Sequence, residues 1–163
     1  MRVGIIIPCY NEEKRLNIKA IRKWLNDFND FHLCFVNDGS KDDTLNILLQ
    51  FKEEYNERIT IINKKKNQGK SMAIRAGARF FYSISTIKYV GYFDADFSNG
   101  FESFNDLIKS LQLNKKLEMT FSSRNKAIIE KAYHKIFFKI KKLLFTVLYS
   151  IRYKEWTEII KYS

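Results

Sequence analysis

The sequence predicts an α/β protein: a mostly parallel β-sheet with helices on both faces. Three observations predict it. Short apolar segments alternate with amphipathic ones along the whole chain. The apolar segments are continuous runs, as strands covered on both faces require. A polar cluster rich in Asp, Asn, Lys or Gly follows each of the first four runs, at the strand ends where such sheets bind their ligands.

The elements follow in order. "VGIII", Val3 to Ile7, is the first strand. Residues 12–28 read as a helix with Leu16, Ala20, Ile21, Trp24, Leu25 and Phe28 on one stripe. "HLCFV", 32–36, is the second strand. Residues 42–56 form the second helix, started by Asp42 and Asp43 as cap and first-turn acids. Its inward stripe is Leu45, Leu48 and Leu49, extended by Phe51 and Tyr55. "ITII", 59–62, is the third strand, followed by a helix over 69–84. "YVGYF", 89–93, is the fourth strand, a further helix fits 101–114, and "EMTFSS", 118–123, is the fifth strand.

The 163 residues suit a single domain, and no Gly/Ser linker or repeat divides it. Residues 1–124 form its core and 125–163 a basic tail. The composition, 45% hydrophobic and 15% aromatic, is ample for a core. No run approaches the ~18 apolar residues of a membrane span. The chain enters its first strand at once, so no secretory leader is expected. Cys9 and Cys34 fall in or beside apolar strands and read as buried free thiols of a reducing compartment.

The net charge of +11 is uneven. Residues 126–163 hold eight lysines and one arginine against three glutamates, which is over half the excess. Residues 126–154 read as one basic amphipathic helix, apolar at Ile136, Phe137, Ile140, Leu144, Val147 and Leu148. Lys131, Lys135, Lys139, Lys141, Lys142 and Arg152 supply its charge. Two readings stand side by side: 126–152 lies on an anionic membrane surface, or packs into the core with a solvated basic face. Left uncovered, its apolar side would favour self-association. Nucleic acid is excluded as a partner, because no base-reading motif is present and an unmetallated acidic pair repels a phosphate backbone.

That acidic pair lies in "YFDADFSNG", 92–100. In extended chain, residues two apart point the same way, so Asp94 and Asp96 can aim at one cation. Mg²⁺ is commonly held by one or two carboxylates with substrate phosphates. Asp96 with Ser98, Asn99 and Gly100 also suits an ordinary turn. In "FVNDGSKDDT", Asp38 ends a strand and can accept from a base N–H or a ribose hydroxyl. "NQGKSMAIRAGA" brings Lys70 and helix N-terminal amides that suit an anion. Lys64, Lys65 and Lys66 read as a solvated basic turn. Neither G-x-x-x-x-G-K-[ST] nor G-x-G-x-x-G occurs, which disfavours a P-loop ATPase and a dinucleotide dehydrogenase.

Taken in order, "IIIPCYNEE", "FVNDGSKDDT", "NQGKSMAIRAGA" and "YFDADFSNG" resemble family 2 glycosyltransferases of the GT-A fold, nearest to the branch that makes polyprenyl-phosphate sugars. The resemblance runs from residue 3 to about 124, with "SSR" at 122–124. It implies a Rossmann-like GT-A sheet and an inverting transfer from a UDP- or GDP-sugar. The implied acceptor is a polyprenyl phosphate or a glycan of cell-surface polysaccharide synthesis. It assigns Pro8, Tyr10, Glu12, Asn37 and Asp38 to the nucleotide, with Lys70 near it. Asp94 and Asp96 would carry Mg²⁺ or Mn²⁺ on the diphosphate, and Arg124 would lie near sugar or phosphate. The implied location is cytoplasmic, at the inner face of the membrane. The branch carries a further stretch similar to D-T-Q-C-G-F-K that this sequence lacks. The expectation is therefore either a shortened enzyme or a non-catalytic nucleotide-binding scaffold with the same fold.

Overall fold

The computed structural model describes residues 2–96, 101–113, 119–122 and 146–150. The elements run β1 (Arg2–Cys9), α1 (Ile18–Asp27), β2 (Phe31–Asp38), α2 (Thr44–Glu54), β3 (Ile59–Lys64) and α3 (Lys70–Tyr82). They continue as β4 (Ile87–Tyr92), α4 (Phe101–Leu113), β5 (Met119–Ser122) and β6 (Thr146–Ser150). One six-stranded sheet has the order β3-β2-β1-β4-β6-β5. β1 to β4 are mutually parallel, and β6 runs antiparallel to both β4 and β5. The sheet is thus mostly parallel, as expected.

Alternation along β1 divides the core in two. Val3, Ile5, Ile7 and Cys9 face α1, α2 and α4, packing with Ile21, Trp24, Leu25, Leu48, Phe51 and Ile108. Ile6 faces α3 on the other side, with Ala73, Ala78 and Phe81. The handedness of parallel crossovers explains the split. The chain moves outward from β1 to β3, then returns across the sheet to place β4 on β1's far side. The returning crossover must use the opposite face. α3 lies close to the sheet because it presents Gly77 there: a Cβ on Gly77 would come within 2.6 Å of Ile6 Cγ2.

Several expectations need correction. α1 begins at Ile18, not residue 12, because Asn17 caps it by accepting from the Ala20 amide at 3.1 Å. Residues 12–16 instead turn tightly, with the Arg15 and Leu16 amides donating to the Glu12 carbonyl. Phe28 and Leu49 are 40% and 46% exposed, not inward. Phe28 is the extended residue ending α1, and the buried stripe of α2 is Thr44, Leu48 and Phe51. Asp43 occupies the N-cap position of α2 but makes no capping bond; Asp42 Oδ1 accepts from the Thr44 amide instead.

The largest correction concerns the tail. A single helix over 126–154 is not what forms, because Thr146–Ser150 is a strand. It inserts between β4 and β5 and supplies the partner that the open edge of β4 needs. "TVLYS" holds β-branched and aromatic residues that suit a sheet. Residues 123–145 and 151–163 lie outside the described residues, and with them Arg124 and the rest of the tail. Among the described residues no helix is long and apolar enough to cross a membrane.

Candidate functional site

The strand order reverses between β1 and β4, and crevices at such switch points bind ligands in open α/β sheets. The fork opens for a local reason. Ile6 turns its carbonyl toward β4 and accepts from the Phe93 amide at 2.9 Å. Pro8, two residues on, faces the same side but has no N–H to donate. Pairing with β4 therefore stops at Ile6, while pairing with β2 continues to Cys9. A cleft of about 450 Å³ opens there, within the range of small-ligand sites. It is lined by residues of all four loops at the carboxyl edge.

Each loop is tied to its neighbours. In the β1–α1 loop, Asn11 adopts a left-handed φ of 54° that asparagine tolerates. Its amide donates to Ser40 Oγ at 3.0 Å, and its side-chain oxygen accepts from the Lys41 amide at 2.9 Å. The Glu12 amide donates to Thr44 Oγ1 at 2.8 Å. These bonds pin the first loop to the β2–α2 loop.

The β2–α2 loop is pinned in turn to the β3–α3 loop. Asp38, only 2% exposed, accepts from the Gln68 amide at 3.0 Å and the Gly69 amide at 2.7 Å, and forms an ion pair with Lys64. The solvated turn expected at 64–66 is thus wrong for Lys64, whose side chain is 15% exposed; Lys65 and Lys66 are exposed as read. Asn37, also buried, donates to Asn63 Oδ1 at 2.8 Å and accepts from the Ser40 amide at 3.3 Å. Gly39 completes the contact. Its φ is +74°, and a Cβ there would lie 2.7 Å from the Asn67 amide nitrogen. Gly39→Ala is therefore expected to cost about 2 kcal/mol or more in chemical denaturation. The left-handed backbone accounts for roughly 1 kcal/mol of this and the clash with fixed backbone for the rest.

The third and fourth loops meet through Lys70, which pairs with Asp94 and lies 5.3 Å from the centre of the Tyr92 ring. Arg15 closes the circle from the first loop. Its guanidinium bonds Glu12 Oε1 at 2.5 Å, and that bond, then the fields of Glu12 and Asp96, raise its pKa above the ordinary value. Glu12 itself is 8% exposed, and its Oε2 is buried with no hydrogen-bond partner among the described residues. An unsatisfied carboxylate oxygen is costly and calls for a donor. Burial first, and then the Glu12 charge, push the Cys9 thiol far up; burial pushes Cys34 up to about 12. Both thiols are free, buried and inert as nucleophiles.

Of the residues expected at the site, Pro8, Tyr10, Glu12, Asp38, Lys70, Asp94 and Asp96 line the cleft. Tyr10 is 41% exposed there, free to present its ring. Asn37 is not among the lining residues and braces the wall from behind, while Arg124 lies outside the described residues. Arg15, Cys9 and Asn67 line the cleft without having been expected. For Arg15 a signal existed, since it stands three residues after Glu12 in a basic run.

Comparison with known proteins agrees with this geometry. The model of glycosyl transferase family 2 matches residues 4–158. The chain belongs to that family. The match extends well past residue 124, where the resemblance was expected to end. Relatives include a dolichyl-phosphate beta-glucosyltransferase of Trichomonas vaginalis, 33% identical over 153 residues, which are 87% of this chain and 45% of that one. An undecaprenyl-phosphate 4-deoxy-4-formamido-L-arabinose transferase of Photorhabdus laumondii is 32% identical over 116 residues, 68% of this chain and 34% of the other. Among solved structures, a mannosyltransferase of Pyrobaculum calidifontis in complex with GDP-Man and Mn²⁺ superposes with a TM-score of 0.63 at 19% identity. That match covers 80% of this chain and 37% of the mannosyltransferase. The fold is that of GT-A glycosyltransferases, and the chain spans less than half the length of each of these proteins.

Proposed function

We propose that this family 2 chain binds a nucleotide sugar in the cleft at the β1/β4 fork and transfers the sugar, with inversion, to a polyprenyl phosphate. The observation that carries the reading is the pair Asp94 and Asp96 in one cleft with two cationic side chains and a buried acceptor, Glu12 Oε2, that lacks a donor among the described residues. Tyr10 offers a ring for a base to stack on, and Glu12 Oε2 accepts from a ribose hydroxyl or a base N–H. Asn37 and Asp38 hold the wall that positions them. The acceptor class rests on the relatives, whose names specify dolichyl and undecaprenyl phosphates.

A divalent ion fits the cleft. Asp94 already takes a cation, the Lys70 ammonium, against its carboxylate. Among the described residues no group of three or more His, Cys, Asp or Glu converges. The protein's share of the shell is then two carboxylates, the Mg²⁺-type arrangement completed by phosphate oxygens and water. Asp94 and Asp96 would hold Mg²⁺ or Mn²⁺, the latter present in the Pyrobaculum neighbour. When bound, the ion stabilises negative charge on the departing diphosphate as a Lewis acid. Lys70 and Arg15 add positive charge at the same mouth. A phosphate acceptor arrives as an anion, so none of this chain's residues needs to act as its general base. The lipid acceptor would keep the protein at the cytoplasmic face of a membrane.

Calorimetric titration with UDP and GDP, each with and without Mn²⁺, tests the reading. One of the two nucleotides is expected to bind, at least ~10-fold more tightly with the ion, which is about 1.4 kcal/mol. Failure of both to bind in the presence of Mn²⁺ would sink it.

A further inference from the structure

We infer that Lys70 stands in for the divalent ion while the cleft is empty, then releases Asp94 to the ion and grips the diphosphate, so that ion and nucleotide bind cooperatively. The inference rests on the reading above. It goes beyond it by giving one side chain two successive partners.

Two carboxylates two residues apart in a sheltered cleft repel each other unless each is compensated. The fold brings two cations into the cleft of the pair from separate loops. Lys70, at the start of α3, contacts Asp94; Arg15, in the β1–α1 loop, lies in the field of Asp96 while bonded to Glu12. Neither cation is locked in place. The Lys70 side chain is 40% exposed and that of Arg15 is 63% exposed. The Lys70 ammonium also lies 5.3 Å from the centre of the Tyr92 ring, so Asp94 is not its sole partner. Asp38 and Lys64 cancel each other within the wall and stay out of the exchange.

Charge decides the order of events. Among the described lining residues, Asp38 and Lys64 apart, Glu12, Asp94 and Asp96 against Lys70 and Arg15 leave one negative charge in excess, which disfavours a diphosphate. A divalent ion on the aspartates turns that balance one charge positive and frees Lys70 toward the mouth of the cleft. Lys70 therefore competes with the ion and cooperates with the nucleotide. A residue that only binds phosphate would not affect ion binding. A residue that only braces the site would weaken both ligands when removed.

The test reads the two signs separately. Mn²⁺ alone is titrated by the loss of its free-ion EPR signal, and GDP and UDP are then titrated calorimetrically at saturating Mn²⁺. Lys70→Gln is expected to bind Mn²⁺ up to ~5-fold more tightly than the wild type, the worth of a partly exposed ion pair. The same variant is expected to bind the nucleotide at least ~10-fold more weakly, the loss of a charge-assisted bond to phosphate. Lys70→Arg, which keeps the charge, is expected to restore nucleotide affinity. Arg15→Gln is expected to move both affinities in the same directions as Lys70→Gln, but less, since Glu12 is its main partner. Unchanged or weaker Mn²⁺ binding by Lys70→Gln would overturn the inference while leaving the donor-site reading intact. Tighter Mn²⁺ with unchanged nucleotide affinity would overturn it equally. If neither the wild type nor Lys70→Gln bound Mn²⁺ even with nucleotide present, the metal reading itself would fall, and this inference with it.

Discussion

Asp96→Asn is expected to lower sugar-transfer turnover about a thousandfold and to remove the Mn²⁺-dependent part of nucleoside diphosphate affinity. Asp96 is exposed at the cleft beside the fork, so the substitution is not expected to disturb packing. Asparagine keeps the shape and one oxygen but loses the charge that a hard divalent ion needs. A metal ion contributes several kcal/mol to charge stabilisation in a transition state, and ~4 kcal/mol corresponds to ~10³ in rate. Asp94→Asn should act in the same direction while also leaving the Lys70 ammonium without its carboxylate. The measurements are turnover at saturating donor and calorimetry with and without Mn²⁺, on protein whose thermal transition matches the wild type. Turnover within about threefold of wild type in both variants would remove the pair from the chemistry, because such a change is under 1 kcal/mol.

Asp38→Ala is expected to destabilise the fold by about 3 kcal/mol and so to lower the melting temperature by roughly 6–12 °C. The sequence suggests a ligand contact for this residue, but its carboxylate is already engaged by Lys64 and by the amides of Gln68 and Gly69. Removing it strands a nearly buried ammonium and frees the start of α3. Breaking one side of a buried pair costs ~3–5 kcal/mol, and the 15% exposure of Lys64 argues for the lower end. A double-mutant cycle with Lys64→Met separates the pair from the loop clamp. If the two losses are simply additive, the pair contributes nothing. Nucleotide affinity should fall too, through displacement of Gly69 and Lys70. A variant that melted like the wild type yet bound nucleotide poorly would return Asp38 to direct ligand contact.

Much of this protein can be read from local pattern. The runs around Ile5, Phe35, Ile61 and Val90 are apolar without alternation, and each became a parallel strand in a sheet covered on both faces. Burial leaves that trace most fully in β1 and β2, where almost every side chain leaves water, whereas β3 and β4 keep half-buried and exposed residues. The polar clusters after those strands are equally legible, since loops at one sheet edge carry their chemistry in consecutive residues. Helix ends were less so. The start of α1 depended on Asn17 as cap rather than on the apolar stripe, which seemed to continue back to Leu16.

What the tertiary structure alone decided is how distant groups satisfy one another. Pro8 opens the β1/β4 fork only because its missing N–H faces β4, and the strand order sets that neighbour. Thr146–Ser150 became a strand because the edge of β4 lacked a partner, which no window of the tail could reveal. In the sequence Lys64 reads as a solvated basic residue and Lys70 as a cation for an anion, while Arg15 carries no reading of its own. They differ in the fold because each meets a different carboxylate from another loop: Glu12 and the field of Asp96, Asp38, and Asp94. Hydrophobic burial is a property of a residue and its near neighbours, so the sequence by itself determined β1 to β5 and the existence of the helices between them. Charge compensation also joins residues some tens of positions apart, so only the closed sheet determined that Asp38 meets Lys64 and Asp94 meets Lys70.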